Sequence, residues 1–537
     1  MQQGTAQKTV FANCALSVFL LAVFSVFTAD DSYILLRYAD NFIQHGEISF
    51  NISEKVSAIT SPLHFILTVL LVQVSGTHIL LTGKILMCVL LFASAFMIAR
   101  PFKAQPMVYI LPFITLLLSP FVIMWTVGGL ETTLLLFLIT WLCISSIKNA
   151  TPKQLYLLCL ISGLAFTTRF DSVLFTAPFL LIYFFLQRRT IGTVRIAFKA
   201  AFLYAIIPAV WLGFALFYFH DPLPTSFYLK IIRSLSLDTV IYCLQFFVYS
   251  GFTPFYALAI FLLYKHDNLA YLKTHFSKFG HIHLALLFIT LYGFANAQVH
   301  MMFGYRLLIP YSGALVLILL YIFYEIYSKY NGKAFFGRNI YAALLILFGC
   351  FQLLHCGYVY YRSVNGMTLS GEYRQLSIYS YKHHFLKVME DGAMDLEKHI
   401  RSQSKFIDTP ATFVTFAEGV IPYKIPYLYT YGQLVSLRKN DVEYSYDFIK
   451  HSDYFYLVSH LQQSFLDDVL QAGDKYQVIS RRSIPFNGRQ VTFYIFFNPN
   501  PQYRQLTKYV RNKPGDFFTK TLNYLTTNKT EHQGITK

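Results

Sequence analysis

The sequence predicts a polytopic α-helical membrane protein that carries a C-terminal α/β domain on its outer side. Of its 537 residues, 55% are apolar and 13% are charged, whereas a soluble globular protein carries roughly a quarter charged residues. Apolar runs of about 20 residues, the length that crosses a bilayer, recur as far as residue 357. From residue 358 onward the chain becomes polar, with short mixed segments. These observations exclude a soluble enzyme, a disordered protein and a receptor with a single membrane anchor.

The net charge is +17, from 44 basic and 27 acidic residues. Lys and Arg accumulate in the cytoplasmic loops of membrane proteins as orientation signals, so we interpret the surplus as topological and expect no nucleic-acid partner. All seven cysteines lie inside or at the end of apolar runs. The sequence therefore predicts neither a disulfide framework nor a zinc cluster.

The hydropathy pattern predicts about eleven transmembrane helices. The first, Val10 to Thr28, is interpreted as an uncleaved helix, because it is long for a signal peptide and no clear cleavage site precedes the acidic pair after it. The further spans are expected at about residues 79–99, 107–124, 131–147, 154–168, 171–186, 199–219, 251–264, 281–298, 306–327 and 340–357.

The apolar run Leu63–Ser75 is too short to cross a hydrocarbon core of about 30 Å at about 1.5 Å per residue. We place it in the membrane interface or half-buried against the bundle. The remaining spans predict a cytoplasmic N-terminus, an outer C-terminus and a first outer loop over residues 29–78. Over the short loops and helix ends, this topology places 15 Lys and Arg residues inside and 7 outside, in agreement with the positive-inside rule.

The membrane module covers residues 1–357, and the polar remainder is expected to form an outer α/β domain over residues 358–502 and a basic tail over residues 503–537. Alternating or apolar stretches predict strands at Thr412 to Phe416, Tyr454 to Val458 and Val491 to Phe497. The pattern of Leu461 to Leu470 predicts a helix, and Asn487-Gly488 is a hairpin signal before the last strand.

The predicted topology places a group of ionisable residues on the outer rim of the membrane module, and such groups at membrane depth tend to mark function. A second carboxylate raises the pKa of a carboxyl and nearby cations lower it, which suits the carboxyl to act as a general base on a hydroxyl. Cations at headgroup depth could hold a phosphate and offset the charge of a leaving group. The candidates are the acidic pair Asp30 and Asp31, the acid Glu131, and the cations Lys84, Arg169, Lys230 and Arg306.

Together these groups describe the displacement of a phosphate by an alcohol, and a lipid-phosphate-linked sugar would place a phosphate at that depth. Several alternatives stay open. The acidic pair could be a solvated loop start, Arg169 could form a structural pair with Asp171, and Lys84 could extend to the headgroups. A divalent cation held by Asp30 or Asp31 with the donor phosphate is a further alternative. The histidine spacing indicates no zinc site.

A longer pattern surrounds the acidic pair. Asp30-Asp31-Ser32-Tyr33-Ile34, Arg37-Tyr38-Ala39 and Thr60-Ser61-Pro62-Leu63 resemble the opening of bacterial GT-C superfamily glycosyltransferases, in the branch related to the cell-wall arabinofuranosyltransferases. Further matches follow in order: Gly129-Leu130-Glu131-Thr132, Thr168-Arg169 with Asp171, Pro222-Leu223-Pro224 with Lys230, Gly304-Tyr305-Arg306 with Pro310, and Glu418-Gly419 with Pro422-Tyr423.

This resemblance implies a GT-C fold and an inverting transferase that takes a sugar from a polyprenyl-phosphate donor on the outer face of a bacterial inner membrane. It also implies that the acidic pair supplies the catalytic base. The expected acceptor is an envelope glycan or a lipid. The sequence departs from the pattern at His64, where an aromatic residue is common, and at His300, where an acidic residue is common.

We therefore expect Asp30 to remove the proton of the acceptor hydroxyl, with Asp31 as second choice or as its electrostatic partner. Lys230 and Arg306 are preferred over Lys84 and Arg169 for the donor phosphate, and Glu131 is expected to orient the sugar or a cation. The alternative function is a transporter or flippase of a lipid-linked glycan. The sequence shows no internal repeat and its polar groups collect at one rim, which favours surface chemistry over alternating access.

Overall fold

The computed structural model shows a mostly helical molecule with a sheet domain near its C-terminus. It describes residues 3–103, 105–191, 193–229, 236–249, 252–296, 303–330, 343, 346–355, 357–358, 361, 381–406, 410–415, 417–432, 449, 451–459, 463–486 and 489–501.

The helices of the membrane module follow the predicted apolar runs closely. They are α1 (Gln3–Phe24), α2 (Asp30–His45), α3 (Pro62–Ser75), α4 (Ile79–Ala99), α5 (Pro106–Leu117), α6 (Pro120–Val127), α7 (Thr132–Ser146), α8 (Pro152–Thr168), α9 (Val173–Ile191), α10 (Val194–Phe219), α11 (Thr225–Leu229), α12 (Leu237–Tyr249), α13 (Phe252–Asn296), α14 (Ser312–Tyr330) and α15 (Ile346–His355).

Five of the described helices are long and apolar enough to cross a membrane, or six if one bent pair is counted as a single span. Phe198, Val210 and Phe217 on α10 are largely exposed, as expected of a helix face that contacts lipid rather than water. The chain is therefore a membrane protein. Five further described helices are apolar but shorter, and the number of eleven spans stays a prediction.

The predicted span over residues 107–124 is interrupted. It consists of α5 and α6, whose axes differ by 59°. Pro120 is the first residue of α6 and Ser119 before it has an extended backbone, with φ −70° and ψ 118°. Proline lacks an N–H and disfavours helical geometry at the preceding residue, so the Ser-Pro dipeptide breaks the helix.

The segment α13 contains two of the predicted spans, at residues 251–264 and 281–298. It is helical throughout, yet the Tyr256 hydroxyl lies 2.7 Å from His283 Nε2, 27 positions later in the chain. A straight helix would separate these residues by about 40 Å. The segment therefore folds back on itself, and its two arms pack side by side, as two separate spans would.

The first outer segment, residues 29–78, contains two helices where the sequence predicted a loop and one short helical run. Asp30 is the first residue of α2, and Gly46 ends this helix with a left-handed φ of 72°, a conformation that favours glycine. Acidic residues in the first turn suit the positive end of a helix. The 14 residues of α3 span about 21 Å, so the run Leu63–Ser75 is helical and too short to cross the bilayer.

The C-terminal domain is built on a mixed five-stranded sheet. A π-helix at Tyr381–Leu386 leads into α16 (Lys387–Ser402). The remaining elements are β1 (Thr412–Val414), α17 (Val420–Lys424), β2 (Tyr429–Tyr431), β3 (Tyr454–Val458), α18 (Gln463–Gln471), β4 (Gln477–Phe486) and β5 (Arg489–Phe497). The strand order is β2-β1-β3-β5-β4, with β1 parallel to β2 and β3, and β5 antiparallel to β3 and β4.

The three predicted strands and the predicted helix are all present among the described residues. The strand β4 occupies the stretch before the hairpin signal, and the short strand β2 was not predicted. Asn487-Gly488 lies outside the described residues, but Phe486 of β4 pairs with Arg489 of β5. The two strands are therefore joined by two residues, as the hairpin signal predicted.

The two faces of the sheet pack differently because side chains alternate along a strand. Tyr454 and Tyr456 of β3 belong to a hydrophobic core that includes α16 and continues into the membrane module. Phe455 and Leu457, on the opposite face, pack in a separate core with residues of α18. The C-terminal domain thus rests on the first outer segment through the face that carries Tyr456.

Candidate active site

Asp30 lies at the contact between the membrane module and the C-terminal domain. Its Oδ1 accepts a hydrogen bond from the backbone N–H of Val420 at 3.0 Å, and the Gly419 N–H also donates to the carboxylate. The backbone N–H of Asp30 donates to the Tyr381 hydroxyl oxygen at 2.7 Å. Three groups of the C-terminal domain thus hold the residue that the sequence predicts as the base.

Burial raises the pKa of Asp30 to about 7, and the charge of Asp31 adds to the rise. The hydrogen bonds from Val420 and Gly419 act in the opposite direction, because they stabilise the ionised form. An ordinary aspartate has a pKa of about 3.9 and is a weak proton acceptor at neutral pH. A carboxyl with a pKa near the working pH is the general base that proton transfer favours.

Asp31 is the first member of five alternating charges, Asp31, Arg306, Glu131, Arg169 and Asp171, which we call the charge row. Arg306 Nη1 lies 3.0 Å from Asp31 Oδ2, and its Nη2 lies 3.6 Å from Glu131 Oε1. Arg169 Nη1 lies 3.4 Å from the same Glu131 oxygen. Arg169 also binds Asp171 through Nε at 3.0 Å and Nη2 at 2.6 Å, which is the pair that the sequence suggested as an alternative.

The charge row is open at one end and closed at the other. The side chain of Asp31 is 41% exposed, whereas that of Glu131 is 4% exposed. Arg306 lies between them, and its Nε is a buried donor without a hydrogen-bond partner in the part of the chain that the structure describes. An anion that reached the open end would therefore meet Arg306 first and compete with Asp31 for it.

The position of Arg306 depends on a left-handed turn just before it. Gly304 and Tyr305 have φ values of 60° and 58°, and the Gly304 carbonyl accepts a hydrogen bond from Trp125 Nε1 at 2.9 Å. A Cβ at Gly304 would overlap the side chain of Met124. The turn places the Arg306 guanidinium 5.6 Å from the centre of the Trp125 ring, where a cation is attracted to the aromatic face.

Lys84 lies on α4 and holds the end of α1 rather than the charge row. Its Nζ donates at 2.8 Å to three acceptors, the carbonyls of Ser25 and Phe27 and the hydroxyl of Thr28. These bonds account for the three donors of an ammonium group. Lys84 thus fixes the chain immediately before Asp30.

Among the other residues that the sequence singled out, Lys230 and His300 lie outside the described residues. His64 is buried on α3. Burial lowers the pKa of His64 to about 4, although the charge of Glu131 acts to raise it. The imidazole is therefore neutral at physiological pH and adds no charge beside the charge row.

Two further residues of the first outer segment bind the C-terminal domain. Arg37 is buried and donates to the carbonyls of Pro422, Leu428 at 2.8 Å and Phe50 at 2.7 Å. Asn51 exchanges two hydrogen bonds with the backbone of Thr430, at 2.9 and 3.0 Å. The residues around Asp30 therefore form one joined unit of both parts of the chain.

The described residues contain no group of three or more His, Cys, Asp or Glu side chains that could hold a metal ion. The carboxylates of Asp31, Glu131 and Asp171 are bound by arginines instead. The charge compensation that this arrangement provides comes from guanidinium groups.

Sequence reasoning missed the groups that the C-terminal domain contributes. Tyr381 received no role, and Gly419 was noted only as part of the resemblance. The signal that could have found the second group was present, since Glu418-Gly419 with Pro422-Tyr423 matched the same family pattern as the acidic pair. Trp125 carried no signal, because a tryptophan in an apolar run is most simply a core residue.

No family model matches this sequence, and no curated protein does either. Two solved structures match across nearly the whole chain. ArnT from Cupriavidus metallidurans in the apo state aligns with a TM-score of 0.59 at 13% identity, over 91% of this chain and 98% of that one. This protein has the fold of ArnT. The ArnT structure from the same organism bound to undecaprenyl phosphate aligns with a TM-score of 0.54 at 13% identity, over 90% and 97% of the two chains.

Proposed function

We propose that this protein is a membrane glycosyltransferase of the GT-C type, which moves a sugar from a polyprenyl-phosphate donor to a glycan or lipid acceptor. The observation that carries the proposal is the position of Asp30, a carboxyl with a pKa of about 7 next to the open end of the charge row. The ArnT fold supports the proposed donor class, since one of the matching ArnT structures holds undecaprenyl phosphate.

In the proposed reaction, Asp30 removes the proton of an acceptor hydroxyl, and the oxygen of that hydroxyl attacks the anomeric carbon of the donor sugar. The bond between that carbon and the phosphate oxygen breaks, and its electron pair leaves with the polyprenyl phosphate. The new glycosidic bond has inverted configuration, because attack and departure occur on opposite faces. The proton on Asp30 then passes to solvent.

Arg306 is the first candidate to stabilise the departing phosphate. It lies beside Asp31 at the open end of the charge row, and guanidinium groups bind phosphate through paired hydrogen bonds. Glu131 binds both arginines of the row and so orients Arg306. Arg169 acts behind it, and Lys84 reaches a phosphate only by releasing one of its three acceptors. Lys230 keeps the role that the sequence predicts.

We further propose that the enzyme resides in a bacterial inner membrane with its C-terminal domain outside, in the branch related to the cell-wall arabinofuranosyltransferases. The proposal rests on the first-segment residues that resemble this branch and on the positive-inside pattern. It gains support from Gly419. The last stretch of the resemblance, Glu418-Gly419 with Pro422-Tyr423, contains the turn that binds Asp30.

Mass spectrometry of the lipid-linked sugars and envelope glycans tests the proposal, in cells with the wild-type gene, a deletion and Asp30→Asn at matched expression. A positioned base contributes about 10²- to 10⁴-fold in rate. We expect the deletion and Asp30→Asn to lack one sugar on a glycan while a polyprenyl-phosphate sugar persists or accumulates. Glu47→Gln removes an acidic residue of the same segment and should behave as wild type. Full complementation by Asp30→Asn would instead reject Asp30 as the base and favour the transporter.

Thermal unfolding in detergent shows whether the Asn variant is folded. The pKa of Asp30 in the folded protein lies above its ordinary value. The protonated form therefore contributes stability that is complete below about pH 4 and is lost as the pH rises through about 7. Asn mimics the neutral acid, so Asp30→Asn should melt higher than wild type at pH 8 and about equally at pH 5. A lower melting temperature at both pH values would indicate a folding defect.

A further inference from the structure

The hydrogen bonds described for Asp30 come from a part of the chain about 350 to 390 residues away in sequence. The donors to its carboxylate are the backbone N–H groups of Gly419 and Val420, and the acceptor of its own N–H is the hydroxyl of Tyr381. The C-terminal domain thus surrounds the proposed base with uncharged polar groups.

A fourth group of this domain lies within the electrostatic influence of Asp30. Tyr456 is the central residue of β3 and is buried, and its hydroxyl has no hydrogen-bond partner within the described ranges. The charge of Asp30 and burial both raise the pKa of Tyr456.

We propose that the C-terminal domain completes the catalytic centre, in that the Gly419–Val420 turn positions the carboxylate of Asp30 and the Tyr381 hydroxyl holds its backbone N–H. These are positioning residues, because they act through Asp30 and not on the substrate. The inference rests on the proposed function, which takes Asp30 as the base. It adds that the outer domain supplies part of the active site.

The close approach of the two backbones at this point requires a glycine. A Cβ added to Gly419 would overlap both the Oδ1 and the backbone oxygen of Asp30. Any side chain there would therefore displace the carboxylate from the turn. A Cβ added to Gly432 would likewise overlap the side chain of Glu418, the residue before the turn. The turn is therefore tightly packed at Glu418 as well as at Gly419.

Further contacts fix the position of the Gly419–Val420 turn relative to α2. Arg37 binds the carbonyls of Pro422 and Leu428 on the C-terminal side of Gly419. The rings of Tyr33 and Tyr423 lie 5.3 Å apart between the same two segments. The turn is thus fixed to the helix that begins at Asp30, as a positioning role demands.

Few titratable groups can confuse a measurement on Asp30. Burial raises the pKa of Tyr33 to about 12 and raises those of Tyr381 and Tyr456 well above the usual value. These phenols therefore stay neutral between pH 5 and 9. The groups that face Asp30 are Asp31 and Tyr33 on α2, Tyr381 in the π-helix, Tyr456 on β3 and, next to the turn, Glu418.

Labelling of the purified full-length protein with dicyclohexylcarbodiimide measures the state of Asp30 without any substrate. This reagent reacts with protonated carboxyl groups in apolar surroundings, and peptide mass spectrometry quantifies the labelled Asp30 as a function of pH. The wild-type midpoint is expected near pH 7. Above the midpoint, one unit of upward shift increases the protonated fraction about tenfold.

Tyr456→Phe and Tyr454→Phe form a matched pair on the same strand and the same face. The Tyr454 hydroxyl bonds to His399 Nδ1 at 2.9 Å rather than facing Asp30. The Tyr456 hydroxyl has no hydrogen-bond partner among the described residues. Both variants should therefore retain the wild-type midpoint, and they control for the loss of a hydroxyl on this face of the sheet.

Gly419→Ala and Gly213→Ala form a second pair. A Cβ at Gly213 meets no atom within 4 Å, so this variant should match wild type. Gly419→Ala should raise the labelling midpoint, because the carboxylate must leave the two N–H donors. It should also reduce the sugar transfer seen in the glycan pools at least tenfold, with the protein still inserted at normal level.

A wild-type labelling midpoint in Gly419→Ala would overturn the positioning role. Shifted midpoints together with normal glycans in Asp30→Asn cells would leave these contacts established and reject Asp30 as the base. The two failures are therefore distinguishable, since the labelling needs no glycan transfer.

Discussion

The two carboxylates of the acidic pair are neighbours in sequence, but their partners lie in different regions of the molecule. Asp31 joins the charge row of the membrane module and is bound by Arg306 at 3.0 Å. Asp30 is held by backbone N–H groups of the C-terminal domain and has a pKa of about 7. A guanidinium partner favours an ionised carboxylate, whereas burial among uncharged groups favours the protonated form.

This difference separates two roles that the sequence had left shared between the residues. A carboxylate that is paired with an arginine is a poor proton acceptor, because protonation would break the ion pair. Asp30 has no described arginine within its hydrogen bonds and can cycle between its two forms. The comparison therefore supports the proposal that Asp30 is the base, with Asp31 among the groups that hold charge.

Removal of a central charge of the row gives the largest expected effect on stability. Glu131→Gln leaves two mostly buried guanidinium groups with a neutral partner, and breaking a buried ion pair costs about 3–5 kcal/mol. We expect a large drop in melting temperature, or loss of folded protein, in fluorescence-detected size-exclusion measurements in detergent. The isosteric Asp30→Asn at pH 5 is the matched control and should melt as wild type.

If Glu131→Gln instead melted like wild type, the remaining partners of the two guanidinium groups, Asp171 and Asp31, would be sufficient to hold them. The charge row would then be a surface arrangement, and the contrast between Asp30 and Asp31 would lose its physical basis.

A smaller effect on stability is expected at Lys84, which holds the chain immediately before Asp30. Lys84→Met removes three hydrogen bonds to residues 25–28, and hydrogen bonds of a charged group contribute about 1.5–3 kcal/mol. We expect a moderate fall in melting temperature and an unchanged apparent KM for the polyprenyl-phosphate donor. Lys278→Met, which loses only aromatic contacts on α13, serves as the control. A raised donor KM with normal stability would return Lys84 to the phosphate site.

The sequence predicted the apolar runs, the outer strands and the acidic pair because each of these depends on local pattern. Hydropathy marks a helix of the membrane module whatever it packs against, and alternation marks a strand such as β3. The break before Pro120 was not predicted, although proline restricts the residue before it. The helix α2 was harder, because its residues mix apolar and charged types in an outer segment.

The contacts that define the site could not be predicted in this way. Arg306 binds Asp31 across 275 positions, and Val420 binds Asp30 across 390. Local pattern contains no record of such pairings. The sequence preferred Arg306 over Arg169 and Lys84 for the phosphate, but the only partner that it suggested was Asp171 for Arg169. The structure distinguishes them by their partners. Arg306 binds Asp31 and Glu131, Arg169 binds Asp171, and Lys84 binds the chain at the end of α1.

The smallest expected effect distinguishes the two carboxylates most directly. The charge of Asp31 raises the pKa of Asp30, and Asp31→Asn removes that charge and leaves Arg306 without its partner at the open end. Both changes stabilise ionised Asp30, so its pKa should fall below 7. The rising limb of sugar transfer against pH, and the midpoint of carbodiimide labelling at Asp30, should therefore move together to lower pH.

Glu47→Gln removes one negative charge elsewhere in the same segment and should leave both curves in place. A shift to higher pH, or loss of the pH dependence in Asp31→Asn while Asp30→Asn stays active, would show that Asp31 is the titrating base.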